Sequence, residues 1–128
     1  MKRLVLAAIA IAALSAAPSA SAKSCLRIQA PAAAEVGETV RIVVRVYLPT
    51  WSNGRVVKLK PMPQWSGRIE LRATSATGGL IRLKTQRADD GVGVVRVAFP
   101  RAGRWRLDAV GWEYAPPTCA PPRFVRVS

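Results

Sequence analysis

The sequence predicts an all-β fold, a sandwich or barrel of about seven to eight short strands behind an N-terminal export signal. Three observations carry this. Apolar residues recur at every second position, from Val40 to Leu48 and again from Trp105 to Ala109, as a pleated strand with one buried face requires. Gly and Pro punctuate the chain at short intervals, as at Gly78-Gly79 and in "PRAG", residues 100–103. No stretch beyond the signal repeats at the helical period.

The signal comes first. Lys2 and Arg3 precede the apolar run "LVLAAIAIAAL" (residues 4–14), and Ala20-Ser21-Ala22 matches a small-residue cleavage site. An uncleaved anchor is the alternative, but the run falls short of the ~20 apolar residues that a membrane-spanning helix needs. Residues 1–22 are therefore read as a signal peptide and residues 23–128 as a single β-sandwich domain. The mature chain has no integral membrane span and is expected in the periplasm or outside the cell.

Eight strands follow in order. "CLRIQA" (25–30) is the first. Residues 31–38 form a loop whose three alanines could make a brief helical turn. "TVRIVVRVYL" (39–48) is the clearest strand: Val40, Ile42, Val44, Val46 and Leu48 share one face, and Arg41, Val43, Arg45 and Tyr47 the other. "PTWSNG" turns through Asn53-Gly54 into "RVVKLK" (55–60). "PMPQWSG" is a loop, since its prolines cannot donate to a ladder. Residues 68–73 put Ile69, Leu71 and Ala73 inward. Residues 80–87 set Ile81, Leu83 and Thr85 against Arg82 and Lys84. After the turn "ADDGVG", residues 92–99 oppose Val95, Val97 and Phe99 to Arg96. Residues 104–112 bury Trp105, Leu107 and Ala109 and expose Arg104, Arg106 and Asp108. Residues 123–128 close the domain on Val125 and Val127.

Charge bounds the partners. The chain has 20 basic and 7 acidic residues and no His; loss of Lys2 and Arg3 leaves a formal +11. Such a surface attracts phosphate polymers, acidic glycans or anionic headgroups. A compositional origin competes with this reading, because 15 of the 20 basic residues are arginine in an Ala-, Val-, Gly- and Pro-rich chain.

Export favours an oxidised pair for the two cysteines, Cys25 and Cys119. A lipid anchor on Cys25 is the alternative; Lys23 stands where a lipobox wants a small residue, and lipidation would strand Cys119. In the chain-entropy model a closed loop of ~95 residues stabilises by ~4.6 kcal/mol.

The stretch "DDGVGVVRVAFPRAGRWRLDAV" (89–110) resembles the penultimate-strand region of immunoglobulin-like sandwiches, with Gly103 and Trp105 at the turn and strand start. With "VGETVRIVVRV" (36–46) it resembles bacterial exported domains of the YtkA-like and CopC-like kind. The resemblance implies an immunoglobulin-like antiparallel sandwich. In such topologies part of the first strand runs parallel to the last, which would bring Cys25 and Cys119 to the same end. Copper-binding members use His and Met ligands; this chain has no His and, after the signal, only Met62, so a metal-handling role is disfavoured.

Catalysis is not expected. Without His, base work would fall to a carboxylate, Lys or thiolate. The only adjacent acids, Asp89-Asp90, precede Gly91 in a turn, and Glu35 and Glu38 flank Gly37 in another. No phosphate-cradling loop or metal-ligand spacing occurs, and no cofactor is expected. Trp51, Trp65 and Trp112 lie at loops or strand ends, where they could contact a partner or close the ends of the core. They form the candidate binding surface together with Arg41, Arg45, Arg104 and Arg106. The function expected is a small exported, non-catalytic module binding a secreted protein or envelope component. The alternative is a polyanion binder for nucleic acid or acidic glycan, and weak polyanion binding is expected in either case.

Overall fold

The computed structural model describes residues 24–112 and 115–128; the signal peptide expected over residues 1–22 lies outside them. Among the described residues nine strands form two sheets that pack face to face as an all-β sandwich. They are β1 (Cys25–Gln29), β2 (Ala33–Ala34), β3 (Thr39–Ser52), β4 (Arg55–Pro61), β5 (Glu70–Ser75), β6 (Leu80–Lys84), β7 (Val92–Ala98), β8 (Gly103–Ala109) and β9 (Arg123–Val127).

Sheet I is built on β3. Strand β1 pairs with residues 43–47 along one edge, and β7 (on 39–45) and β4 (on 47–52) share the other. Sheet II runs β2-β9-β8-β5-β6, antiparallel except for the parallel β2–β9 pair. The core lies between Leu26, Val40, Ile42, Val44, Val46, Val97 and Phe99 on one side and Leu71, Ala73, Trp105, Leu107, Val125 and Val127 on the other. Alternation produces this directly, because each sheet buries one face and wets the other. Trp105 is 1% exposed; it stacks at a tilt on Phe99, 5.3 Å between ring centres, and its Nε1–H donates to the Arg101 carbonyl at 3.1 Å.

The structure departs from the sequence expectations in four places. The alanines of 31–38 form no helical turn. Ala33 and Ala34 are a short strand on β9, held by Arg126 N–H to Ala32 O and Ser128 N–H to Ala34 O. Backbone pairing along β9 overrides alanine's weak local preference. The parallel partner of the last strand is thus β2, while the first strand pairs antiparallel with β3 in the opposite sheet. β3 continues four residues beyond Leu48, so Trp51 lies on a strand and not in a loop, and Leu48 is 47% exposed rather than core. Pro61, expected in a loop, ends β4, an edge strand that tolerates the missing donor.

Cys25 and Cys119 form a disulfide, with Cα atoms 4.7 Å apart. It ties the start of β1 to the loop before β9, joining the two sheets at one end. Leu26 N–H donates to Cys119 O at 3.1 Å, so the same loop covers the outer edge of β1.

Candidate functional site

The outward face of sheet I follows from its register. Arg27 of β1 stands opposite Arg45 of β3, and Arg41 of β3 opposite Arg96 of β7. Directly opposed side chains in an antiparallel pair have Cβ atoms ~4.5–5.5 Å apart, and like charges there are destabilising. Two such arginine pairs therefore share one face.

Arg27 is spent on structure. Its Nη1–H groups donate to Leu26 O and Cys119 O at 2.9 and 2.7 Å, and its Nη2–H donates to Thr118 O at 2.7 Å. Burial lowers its pKa below the ordinary arginine value, with the Tyr47 phenol acting the other way. Arg41, Arg45 and Arg96 are exposed, and no carboxylate among the described residues pairs with any of them. Asp90 shares a small hollow with Arg45, but its Oδ1 accepts the Val92 N–H at 3.2 Å. Glu38 Oε1 accepts the Glu35 N–H at 2.9 Å. Between Arg41 and Arg45 lies a shallow depression of about 450 Å³, floored by Val43 and walled by Gln29, Ala30 and Pro31. Two arginines flanking an apolar floor suit an anionic group with some hydrocarbon attached.

Arg104 and Arg106 lie on the other sheet, so the structure separates them from Arg41 and Arg45. That face contains its own acids. Glu70 meets Arg82 at 3.7 Å, Asp108 meets Arg106 at 3.1 Å, and the Arg104 guanidinium sits 4.0 Å over the Phe124 ring. Sheet II is a mixed-charge surface, whereas the exposed charges of sheet I are cationic alone.

The tryptophans are also dispersed. Trp65 packs against the core from the loop after β4, its ring over Gly67. Trp112 packs against the core at the end of β8, and its Nε1–H donates to Ser24 O at 3.1 Å. Trp51 is 39% exposed at the far end of β3.

Alternation alone does not signal the segment that carries Trp51. At ~3.3 Å per residue the 14 residues of β3 reach ~46 Å, far past the ends of β1 and β7. Residues 48–60 form a two-stranded arm that turns at Asn53 (φ 53°) and Gly54 (φ 75°), the pair of positive angles of a type I′ hairpin. None of the arm's apolar residues belongs to the core or packs against it.

Among the described residues, no three His, Cys, Asp or Glu side chains converge to hold a metal ion, and no helix is long and apolar enough to cross a membrane. No protein-family model matches the chain, and no curated protein matches it.

Proposed function

We propose that this protein is an exported, non-catalytic binding module, an immunoglobulin-like sandwich whose sheet I face takes an anionic group of an envelope component. The observation that carries the reading is the set Arg41, Arg45 and Arg96, exposed on one face with no pairing carboxylate among the described residues. Cross-strand arginine pairs cost stability that an anionic partner would restore. The Cys25–Cys119 bond supports export, because disulfides persist in oxidising compartments. The likeness to YtkA-like and CopC-like domains extends to patterning and not to their ligands.

The test is retention of envelope extract, heparin and DNA by the immobilised protein at low salt and at ~0.15 M, where the Debye length is ~8 Å. An envelope component held at the higher salt, and lost in an Arg41→Gln/Arg45→Gln variant, is the expected result. Heparin or DNA held in its place would favour the polyanion reading. No retention at either salt would assign the charge to composition.

A further inference from the structure

The arm of residues 48–60 has two unlike sides, set by a single bulge. Thr50 pairs with Lys58 and Trp51 with Val56, so Val57 is the extra residue. Without it, Val56 and Leu59 would point to opposite sides. With it, Trp51/Val56 and Pro49/Leu59 stack as successive pairs on one side, while Leu48/Lys60, Thr50/Lys58 and Ser52/Arg55 occupy the other. The apolar side continues the side of β3 that bears Arg41 and Arg45. On this side Trp51 is exposed and Val56 and Leu59 are half-buried; two further exposed apolar residues of the arm lie off it, Leu48 on the basic side and Val57 at the bulge.

An isolated two-stranded ribbon is marginal in water, and the apolar residues of this one do not pack on the core. A partner that covers it has to suit both an apolar strip led by Trp51 and an arginine face behind it. A second copy of the chain is opposed by charge, since Arg55, Lys58 and Lys60 line the arm and the whole chain is strongly basic. A nucleic acid could pair its phosphates with Arg41, Arg45 and Arg96 and stack on Trp51, but it would leave the aliphatic part of the strip, Pro49, Val56 and Leu59, without an apolar partner. A bilayer surface matches both parts. Trp favours the headgroup zone, long basic side chains keep their heads in water beside apolar surface, and stable attachment combines an apolar contact with a cationic patch.

We propose that the arm lies on an anionic phospholipid bilayer, with Trp51, Val56 and Leu59 in the interfacial zone and Arg41, Arg45 and Arg96 against lipid phosphates. The contact is shallow and side-on. The polar turn Ser52-Asn53-Gly54 and the unpaired ribbon edges cannot enter hydrocarbon, where backbone groups find no partner.

The inference rests on the anion-binding reading of sheet I, and its test separates the two. The exported, disulfide-bonded protein is sedimented at ~0.15 M salt with vesicles of phosphatidylcholine alone and with vesicles containing phosphatidylglycerol, and passed over heparin at low salt. Binding to the anionic vesicles only is expected, with a blue shift in the emission lost on Trp51→Phe. Trp51→Ser/Leu59→Ser should weaken vesicle binding by about tenfold or more, as loss of buried apolar side chains does, and leave heparin retention and thermal midpoint unchanged. Arg41→Gln/Arg45→Gln should weaken both. Heparin retention without vesicle binding, or vesicle binding untouched by the arm variant, would overturn the lipid contact and leave the anion site standing. Retention of neither would overturn both.

Discussion

At the scale of single residues, Gly91 shows how a backbone contact dictates a residue type. It lies where the end of β4 and the start of β7 meet on the same edge of β3, both bonded to Val46: Val46 N–H to Gly91 O and Met62 N–H to Val46 O. Its φ is +78°, and a Cβ there would collide with the Met62 carbonyl oxygen. Gly37 has a similar φ, +80°, with open space around it. The two glycines therefore separate conformational strain from steric clash. Gly37→Ala should cost ~1–2 kcal/mol, the penalty for the left-handed region alone. Gly91→Ala should cost clearly more, because strand edges must also move apart. Urea denaturation of both variants checks the difference; equal costs would mean that the junction relaxes freely.

At the scale of elements, β3 unites the core and the candidate site. Its segment 40–46 is anchored by Val40, Ile42, Val44 and Val46 between the sheets and should open only with global unfolding, whereas the apolar residues of 48–60 do not pack against the core. Native-state hydrogen exchange should therefore show amides of the arm exchanging orders of magnitude faster than those of 40–46, and slowing when anionic vesicles are added. The same strand carries a trade between stability and binding. Replacing Arg96 by Glu turns the pair with Arg41 from like to opposite charge. Arg96→Glu should raise stability by ~0.2–1 kcal/mol, the size of such cross-strand terms, while weakening retention of anionic partners. A variant that gains no stability would show that the two guanidiniums already avoid one another in solution.

At the scale of the whole molecule, the disulfide closes most of the chain into one loop and joins the start of one sheet to the approach to the last strand of the other. Cys119→Ala should destabilise by ~2–5 kcal/mol, as loss of a native bond does in small secreted domains. Intact mass of the exported protein should show both thiols oxidised and no lipid on Cys25. Two free thiols would remove the argument for export that the bond supplies. The loop around Cys119 should loosen on reduction, leaving the hydrogen bonds from Arg27 and Leu26 to the Thr118 and Cys119 carbonyls and the packing of Ala120 to hold it.

Period-two alternation was enough to determine the fold class and, for nearly every strand, which residues face inward. Val40, Ile42, Val44 and Val46 are buried as that pattern requires, and so are Leu71, Leu107 and Val125. The cysteine count and the export expected from the N-terminal sequence were enough to suggest the Cys25–Cys119 pair. The sequence did not reveal how the arginines are shared between surfaces. Alternation states which side of a strand is wet, a property of neighbouring residues, but not which strands lie side by side, a property of contacts distant in the chain. Only the tertiary pairing puts Glu70 and Asp108 on sheet II with Arg82 and Arg106, leaving Arg41, Arg45 and Arg96 together with no carboxylate partner among the described residues. The arm was hidden for a related reason. Trp51 reads locally as a turn residue and Val57 as one in a short strand, and their exposure on a projecting ribbon follows from β1 and β7 ending before β3 does, together with one bulge that brings Val56 and Leu59 to the same side.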